Sequence, residues 1–250
     1  LPIRSIWNVG RERGDFADGG WAQQKGDAIF GMNDYQKERV VYPSHDMTAL
    51  PWKNGGGVTR EVARDREGLS PNWRMSIADL EHPGAFSCFE GRQRHFGVLG
   101  ERPVVLSFPD RQVTLATGDV LIFEGDEPVV CELPDGPSRA LNLMFDAKRW
   151  DGHLMLCEPW AWPLHESGEA PWEECWYILS RGRLMLDPST PNPVVVGPGD
   201  ALRYPLTECG HALPGNLRPI DESAHGLVGF GVQLKRHSTD LDPVSSLQRM

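Results

Sequence analysis

Thr117-Gly118-Asp119-Val120-Leu121-Ile122-Phe123 and Pro198-Gly199-Asp200-Ala201-Leu202-Arg203-Tyr204 are the two stretches on which the fold turns. Each is a Gly-Asp turn running into an apolar segment. Each follows, by about twenty residues, one member of a second matching pair, Gly97-Val98-Leu99-Gly100-Glu101-Arg102-Pro103-Val104-Val105-Leu106 and Tyr177-Ile178-Leu179-Ser180-Arg181-Gly182-Arg183-Leu184-Met185-Leu186. The offset between copies is roughly eighty residues for both pairs, so the repeating unit is a whole domain and not a short solenoid motif. In each copy a hairpin with a glycine-bearing turn comes first, then the Gly-Asp turn and its strand.

Outward from the first copy the pattern stays β. Trp73-Arg74-Met75-Ser76-Ile77-Ala78 alternates, which puts Arg74, Ser76 and Ala78 on one face of a strand and Trp73, Met75 and Ile77 on the other. Pro83-Gly84 breaks that run, and Phe86 to Gly91 leads into Arg94-His95-Phe96-Gly97-Val98-Leu99. Further strands are predicted at Val104–Phe108, Gln112–Ala116, Val120–Phe123, Pro128–Leu133 and Arg139–Phe145. Their spacing of roughly eight to twelve residues is that of a sandwich or barrel.

The totals agree. A chain of 250 residues has room for one large β domain or two smaller ones, and 27 glycines with 21 prolines fit many strands joined by tight turns. A net charge of -10 and a pI near 5.3 argue against nucleic acid or an anionic membrane as partner. The cysteines Cys88, Cys131, Cys157, Cys175 and Cys209 are scattered and lack a Cys-x-x-Cys pair, so reduced thiols in a cytoplasmic protein are expected. No apolar run approaches the length of a membrane span, and no charged-then-apolar leader is present. Residues 1–40, with six glycines among charges, read as an irregular arm that Trp7 and Trp21 would dock; 236–250 read as a tail. Trp150 to Pro163 reads as the crossover between the two copies.

Polar and aromatic groups crowd around three glycines in Pro51-Trp52-Lys53-Asn54-Gly55-Gly56-Gly57-Val58-Thr59-Arg60-Glu61-Val62. The glycines permit a sharp turn or a close approach to a ligand, and Val58 to Val62 then reads as a strand. The context is not that of a P-loop, a dinucleotide fingerprint or an esterase elbow. A hairpin that brings amide, hydroxyl, guanidinium and carboxylate groups together is the reading that remains.

The order hairpin, Gly-Asp turn, inward strand resembles the cupin pattern of a small jelly-roll barrel, and two copies imply a bicupin. The expected fold is therefore all-β: two tandem cupin-like jelly-roll barrels, at 41–149 and 150–235, behind the irregular N-terminal arm. Cupin enzymes usually hold a metal through His-x-His, a nearby Glu and a later His. No His-x-His occurs here. Glu174 and His211 sit near two of the four slots, with His165 too far upstream, and Arg94 falls opposite Glu174 in the repeat. Two ligands do not make a catalytic metal site, so no metal and no other cofactor is expected.

What the first barrel offers instead is Arg94, Arg74 with Ser76, and Asn142, joined by Arg60, Glu61, Thr59 and Asn54 at the barrel mouth. A bidentate arginine suits a carboxylate, so a small carboxylated metabolite is the expected partner. Trp52, Trp73 and Phe86 are the aromatic candidates near it, Trp73 falling on the face opposite Arg74 and so in the core. Each polar residue also has a bracing role open to it, Asn142 above all, since a buried amide must be hydrogen-bonded.

The glycine stretch, followed by Trp73-Arg74-Met75-Ser76-Ile77-Ala78, Gly84-Ala85-Phe86-Ser87-Cys88-Phe89-Glu90-Gly91, Arg94, Phe123-Glu124-Gly125-Asp126 and the Asn142 strand, resembles the HutD/Ves family of bacterial bicupins over roughly residues 42–235. The resemblance implies association with histidine utilisation, where HutD is thought to govern the pathway by binding an intermediate such as urocanate or formylglutamate; Ves members are linked to stress responses. The motif positions it carries over are Trp52, Asn54, Gly55, Gly57, Thr59, Arg60, Glu61, Trp73, Arg74, Ser76, Phe86, Ser87, Phe89, Gly91, Arg94 and Asn142. Two functions follow as alternatives. One is a metal-free sensor or regulator. The other is an isomerase, hydrolase or lyase with Glu61 as general base, although a carboxylate among arginines makes a poor base near neutrality. A metal-dependent oxygenase is the third and requires His211.

Overall fold

The computed structural model describes residues 40–65, 71–157, 172–186, 191, 193–204, 217–220 and 228–237, and every regular element among them is a strand. In chain order these are β1 (Val40–Tyr42), β2 (Ala49–Pro51), β3 (Gly57–Arg64), β4 (Trp73–Leu80), β5 (Gly84–Ala85), β6 (Gln93–Val98), β7 (Val104–Ser107), β8 (Gln112–Leu115) and β9 (Val120–Glu124). Then follow β10 (Val130–Glu132), β11 (Ser138–Phe145), β12 (Trp150–Cys157), β13 (Glu174–Arg181), β14 (Leu184–Leu186), β15 (Val194–Val196), β16 (Ala201–Tyr204), β17 (Leu217–Pro219) and β18 (Val228–Arg236). The arm at 1–39, His165, Cys209, His211 and most of the C-terminal tail lie outside the described residues.

The strands form four antiparallel sheets arranged as two pairs. A six-stranded sheet in the order β2-β3-β4-β11-β6-β9 belongs with a four-stranded sheet β5-β10-β7-β8, and a five-stranded sheet β1-β16-β13-β18-β12 with a three-stranded sheet β15-β14-β17. The order β4-β11-β6-β9 in the first half recurs as β12-β18-β13-β16 in the second, and β10-β7-β8 recurs as β17-β14-β15. The repeat read from sequence is thus a repeat of topology, and the class is all-β and jelly-roll-like. Both Gly-Asp turns close alike. Gly118 and Gly199 have φ of 91° and 90°, Gly118 N donates to Val98 O and Gly199 N to Leu179 O, and the Asp119 and Asp200 carboxylates accept from Ala116 N and Gly197 N. Glycine is required at both because an L side chain rarely adopts that φ.

Two elements differ from the sequence reading. Trp150 to Cys157, expected as part of a crossover, is the strand β12, paired along its length with β18. Val40–Tyr42 pairs with β16, so the chain contributes a strand to the second half before it builds the first.

Alternation along these strands produces three apolar layers. One lies inside the first sheet pair, around Leu80, Phe96, Val98, Leu106 and Phe123. A second lies inside the other pair, around Tyr177, Leu179, Leu184 and Leu202. The third is the seam between the six-stranded and five-stranded sheets, where Trp73, Met75, Ile77, Leu143 and Phe145 meet Trp150, Trp176, Ile178, Phe230 and Val232. Trp73 is core, as its phase predicts. Packing is tight enough at the seam that a Cβ on Gly97 would stand 2.8 Å from the Phe230 ring. Burial of this much apolar surface, at about 25 cal/mol per Å², is what holds the halves together. Among the described residues no helix is long and apolar enough to cross a membrane.

Candidate functional site

The first half contains a cavity of about 480 Å³, walled by the inner faces of β3, β4, β6 and β11 and by the segments 50–54 and 85–89. Strand phase decides who enters it. Arg74, Ser76 and Ala78 on β4 line it, while Trp73, Met75 and Ile77 turn to the seam. Asn142 and Met144 come from β11, Arg94 from β6, and Thr59 and Glu61 from β3. A two-residue alternation that includes Thr59 and Glu61 excludes Arg60. The guanidinium of Arg60 lies on the opposite face, bonded to Asp79, so it is not part of this site.

At the floor, Arg94 is 6% exposed and Asn142 3%. Arg94 Nε and Nη2 both donate to Asn142 Oδ1, at 2.9 and 2.6 Å. The guanidinium stands 4.3 Å from the Phe86 ring centre, 5.3 Å from that of Phe123 and 5.6 Å from that of Phe96. Among the described residues no carboxylate touches it. Burial lowers its pKa to about 9, the nearby Arg74 adding to the effect. It is still charged at neutral pH, and among the described residues aromatic faces and one amide oxygen are what offset its desolvation. Beneath it, burial pushes the Cys131 thiol up to about 12, so that cysteine is inert apolar filling.

Nearer the mouth, Glu61 Oε2 is 4.0 Å from Arg74 Nε, and Glu61 Oε1 is 3.3 Å from Arg64 Nε. Residues three apart on a regular strand point to opposite faces. Here the register shifts between Glu61 and Ala63, and this bulge turns Arg64 back to the side of Glu61. Arg74 Nε is buried with no hydrogen-bond acceptor among the described residues. The glycine stretch is the β2–β3 hairpin turn: Gly55 has φ of 70°, and Asn54 Oδ1 accepts from Gly56 N at 3.0 Å while its Nδ2 reaches Ala85 O at 3.5 Å. Asn54 therefore lines the cavity and ties the turn to β5. Trp52 Nε1 donates to Thr59 Oγ1 at 2.7 Å, fixing the indole edge-on to Phe86 at 6.3 Å.

Nine of the ten predicted residues, Trp52, Asn54, Thr59, Glu61, Arg74, Ser76, Phe86, Arg94 and Asn142, line this one cavity; Arg60 is the exception. Met144 was missed as a site residue although it shares the phase of Asn142 two positions earlier. Phe89, carried as a motif position without a role, lies 6.0 Å below the Arg74 guanidinium.

The metal reading meets a donor set that does not fit. Glu174 is bound by Arg203 through both oxygens, at 3.0 and 2.8 Å, and accepts from Trp176 Nε1 at 3.0 Å. Among the described residues no three His, Cys, Asp or Glu side chains converge, and His211 lies outside them. The repeat alignment also moves by one position. Arg94 pairs across to Phe123 and Met144, and the residue paired to their counterparts Tyr204 and Gln233 is Cys175, not Glu174. Cys175 is disulfide-bonded, which overturns the expectation of reduced thiols at that position.

A family model described as HutD matches residues 44–203. Over 116 residues the chain is 42% identical to an uncharacterised 21.2 kDa protein in the hutC 3′ region of Pseudomonas putida, covering 44% of this chain and 60% of that relative's length. It is 29% identical over 153 residues to protein Ves of Cronobacter sakazakii, 53% of this chain and 84% of the other. HutD from Pseudomonas fluorescens SBW25, solved in a formate condition, superposes with a TM-score of 0.60 at 25% identity, covering 80% of this chain and 99% of that one. The E. coli protein YlbA, at 10% identity and a TM-score of 0.52 over 82% of this chain and 93% of its own, shares the fold alone.

Proposed function

The chain belongs to the HutD family, and we propose that it binds a small carboxylated metabolite in the first cavity and serves as a sensor or regulator of histidine utilisation. Arg94 carries this reading: a buried cation whose one acceptor among the described residues is a neutral amide has N–H groups and a full charge left for a ligand. A carboxylate supplies both the acceptors and the countercharge, and charge-assisted pairs in a desolvated site are the strong ones. The cavity volume suits a metabolite of the size of urocanate or formylglutamate. The hutC 3′ region named for the P. putida relative supports the pathway assignment.

Calorimetric titration with urocanate, formylglutamate and succinate tests this. Binding of at least one is expected, weakened in Arg94→Lys by about 1.5–3 kcal/mol, roughly ten- to more than a hundred-fold. Unchanged affinity in Arg94→Lys removes the cavity from the reading. Turnover of a ligand, lost in Glu61→Gln, replaces binding by catalysis; the pairing of Glu61 with Arg64 and Arg74 weighs against that outcome.

A further inference from the structure

On the face of β3 and β4 opposite the main cavity, beside the turn that follows β1, a second cavity of about 140 Å³ is lined by Ser44, His45, Arg60, Ile77 and Arg139. Asp79 organises it. Directly across from Asp79 on β11 stands Arg139, whose Nε donates to Oδ1 at 2.9 Å, and from β3 Arg60 Nη1 donates to Oδ2. Two guanidiniums share one carboxylate, and both of its oxygens are occupied. The remaining N–H groups of Arg60 and both Nη groups of Arg139 have no acceptor among the described residues. The cluster of three carries one net positive charge.

Among the described residues the neighbouring carboxylates Asp200 and Asp46 keep their charge but make no ion pair with Arg60 or Arg139. Asp200 spends its oxygens on the backbone amides of Ser44, at 2.7 Å, and Gly197, at 2.8 Å. Asp46 faces the exposed His45 at 3.5 Å. The lack of a side chain at Gly199 leaves room for Arg139, whose Nη1 stands 3.1 Å from where a Cβ would be, so the guanidinium rests against the Gly-Asp turn of the second half. The Ser44 backbone is pinned by Asp200, which holds its hydroxyl in the wall of the cavity.

We propose that this cavity is an oxyanion site, taking one phosphate-sized anion between Arg60 and Arg139 with the Ser44 hydroxyl as a further donor. Its volume is less than a third of the main cavity's and holds one oxyanion group, not a whole metabolite. Planar guanidiniums with free edges are the side chains best shaped for such an ion. The site is separate from the carboxylate cavity and does not depend on the reading given above.

Thermal unfolding of the full chain at constant ionic strength, with chloride replaced stepwise by inorganic phosphate or by glycerol phosphate, tests it. Stabilisation beyond that in chloride is expected with at least one of the two, and the tighter identifies whether free phosphate or a phosphate ester is the natural source. Arg139→Gln and Arg60→Gln, both at partly exposed side chains, should each weaken the apparent affinity about ten-fold or more. Arg139→Gln should bind carboxylates in the main cavity as the wild type does. The proposal is overturned if phosphate and chloride act alike, if both variants respond as the wild type does, or if Arg94→Lys rather than Arg139→Gln removes the response.

Discussion

The two halves of this molecule share a strand order and differ at the positions that face their interiors. Arg94, Arg74, Asn142 and Met144 in the first half correspond by strand register to Cys175, His153, Gly231 and Gln233 in the second. One half places a buried cation and an amide where the other places a disulfide-bonded sulfur and a glycine. The backbone therefore does not need the Arg94–Asn142 pair, and the pair's energetic cost must be met by something other than folding. On the seam side the halves converge. Gln93 and His95 correspond to Glu174 and Trp176, and in each a ring nitrogen faces the side-chain oxygen two residues earlier, at 3.1 and 3.0 Å. Conserved geometry on the seam and divergent chemistry inside is the pattern expected when the shared face serves assembly and one interior serves a ligand.

The sharpest way to break this comparison is to give the first half an apolar pair as the second has. Asn142→Ala alone leaves the Arg94 guanidinium buried without an acceptor among the described residues and should cost about 3–5 kcal/mol in denaturant unfolding. Arg94→Met with Asn142→Ala removes both partners and should recover most of that loss, because replacing both ends of a buried polar pair is far cheaper than orphaning one. The double variant should bind no carboxylate. A double variant no more stable than Asn142→Ala would show that the pair is structural and that the two interiors are not alternatives on one scaffold.

Next in size is the seam. The His95 imidazole, pushed down to about 4 by burial with His153 adding to the effect and Asp151 opposing it, is neutral in the fold while its unfolded value is near 6.5. Between those values the unfolded chain binds the extra proton, so stability falls as pH drops from about 6.5 to about 4, by on the order of 3 kcal/mol. His95→Leu should flatten that part of the profile relative to wild type. Identical acid profiles would mean that the imidazole is not the group that titrates. Arg94 sets the other limit. With a folded value of about 9, it loses its charge above that pH, and carboxylate affinity should fall as pH rises through it.

Much of the first half is legible in the sequence because local patterns set it. The repeat and period-two alternation located most first-half strands and sorted Arg74 and Ser76 from Trp73, Met75 and Ile77. The same alternation argues against admitting Arg60 together with Glu61, and the cavity includes only Glu61. What was not legible depends on contacts between distant residues. Arg139 reaches Asp79 from sixty positions away. The bulge between Glu61 and Ala63 has no glycine or proline to announce it. The one-position slip that set Arg94 opposite Glu174 arose because apolar runs fix a repeat only approximately, whereas hydrogen-bonded register fixes it to the residue.

The smallest expected effect bears on Glu174, the one of the two cupin-type metal candidates that falls among the described residues. Glu174 is 18% exposed and its partner Arg203 41%, so solvent screens much of their attraction. Glu174→Gln converts the second-half pair into the Gln–ring arrangement of the first, keeping an acceptor for Trp176 Nε1 while losing the bidentate guanidinium contact. The cost should be about 0.5–1 kcal/mol in denaturant unfolding, with carboxylate affinity in the first cavity unchanged. Elemental analysis of wild type and variant adds a second readout: a stoichiometric transition metal present in the first and absent in the second would make Glu174 a ligand and its contact with Arg203 incidental. The present geometry predicts no such difference, because a carboxylate already held through both oxygens by a guanidinium and through one by an indole N–H would have to give up those bonds to meet an ion.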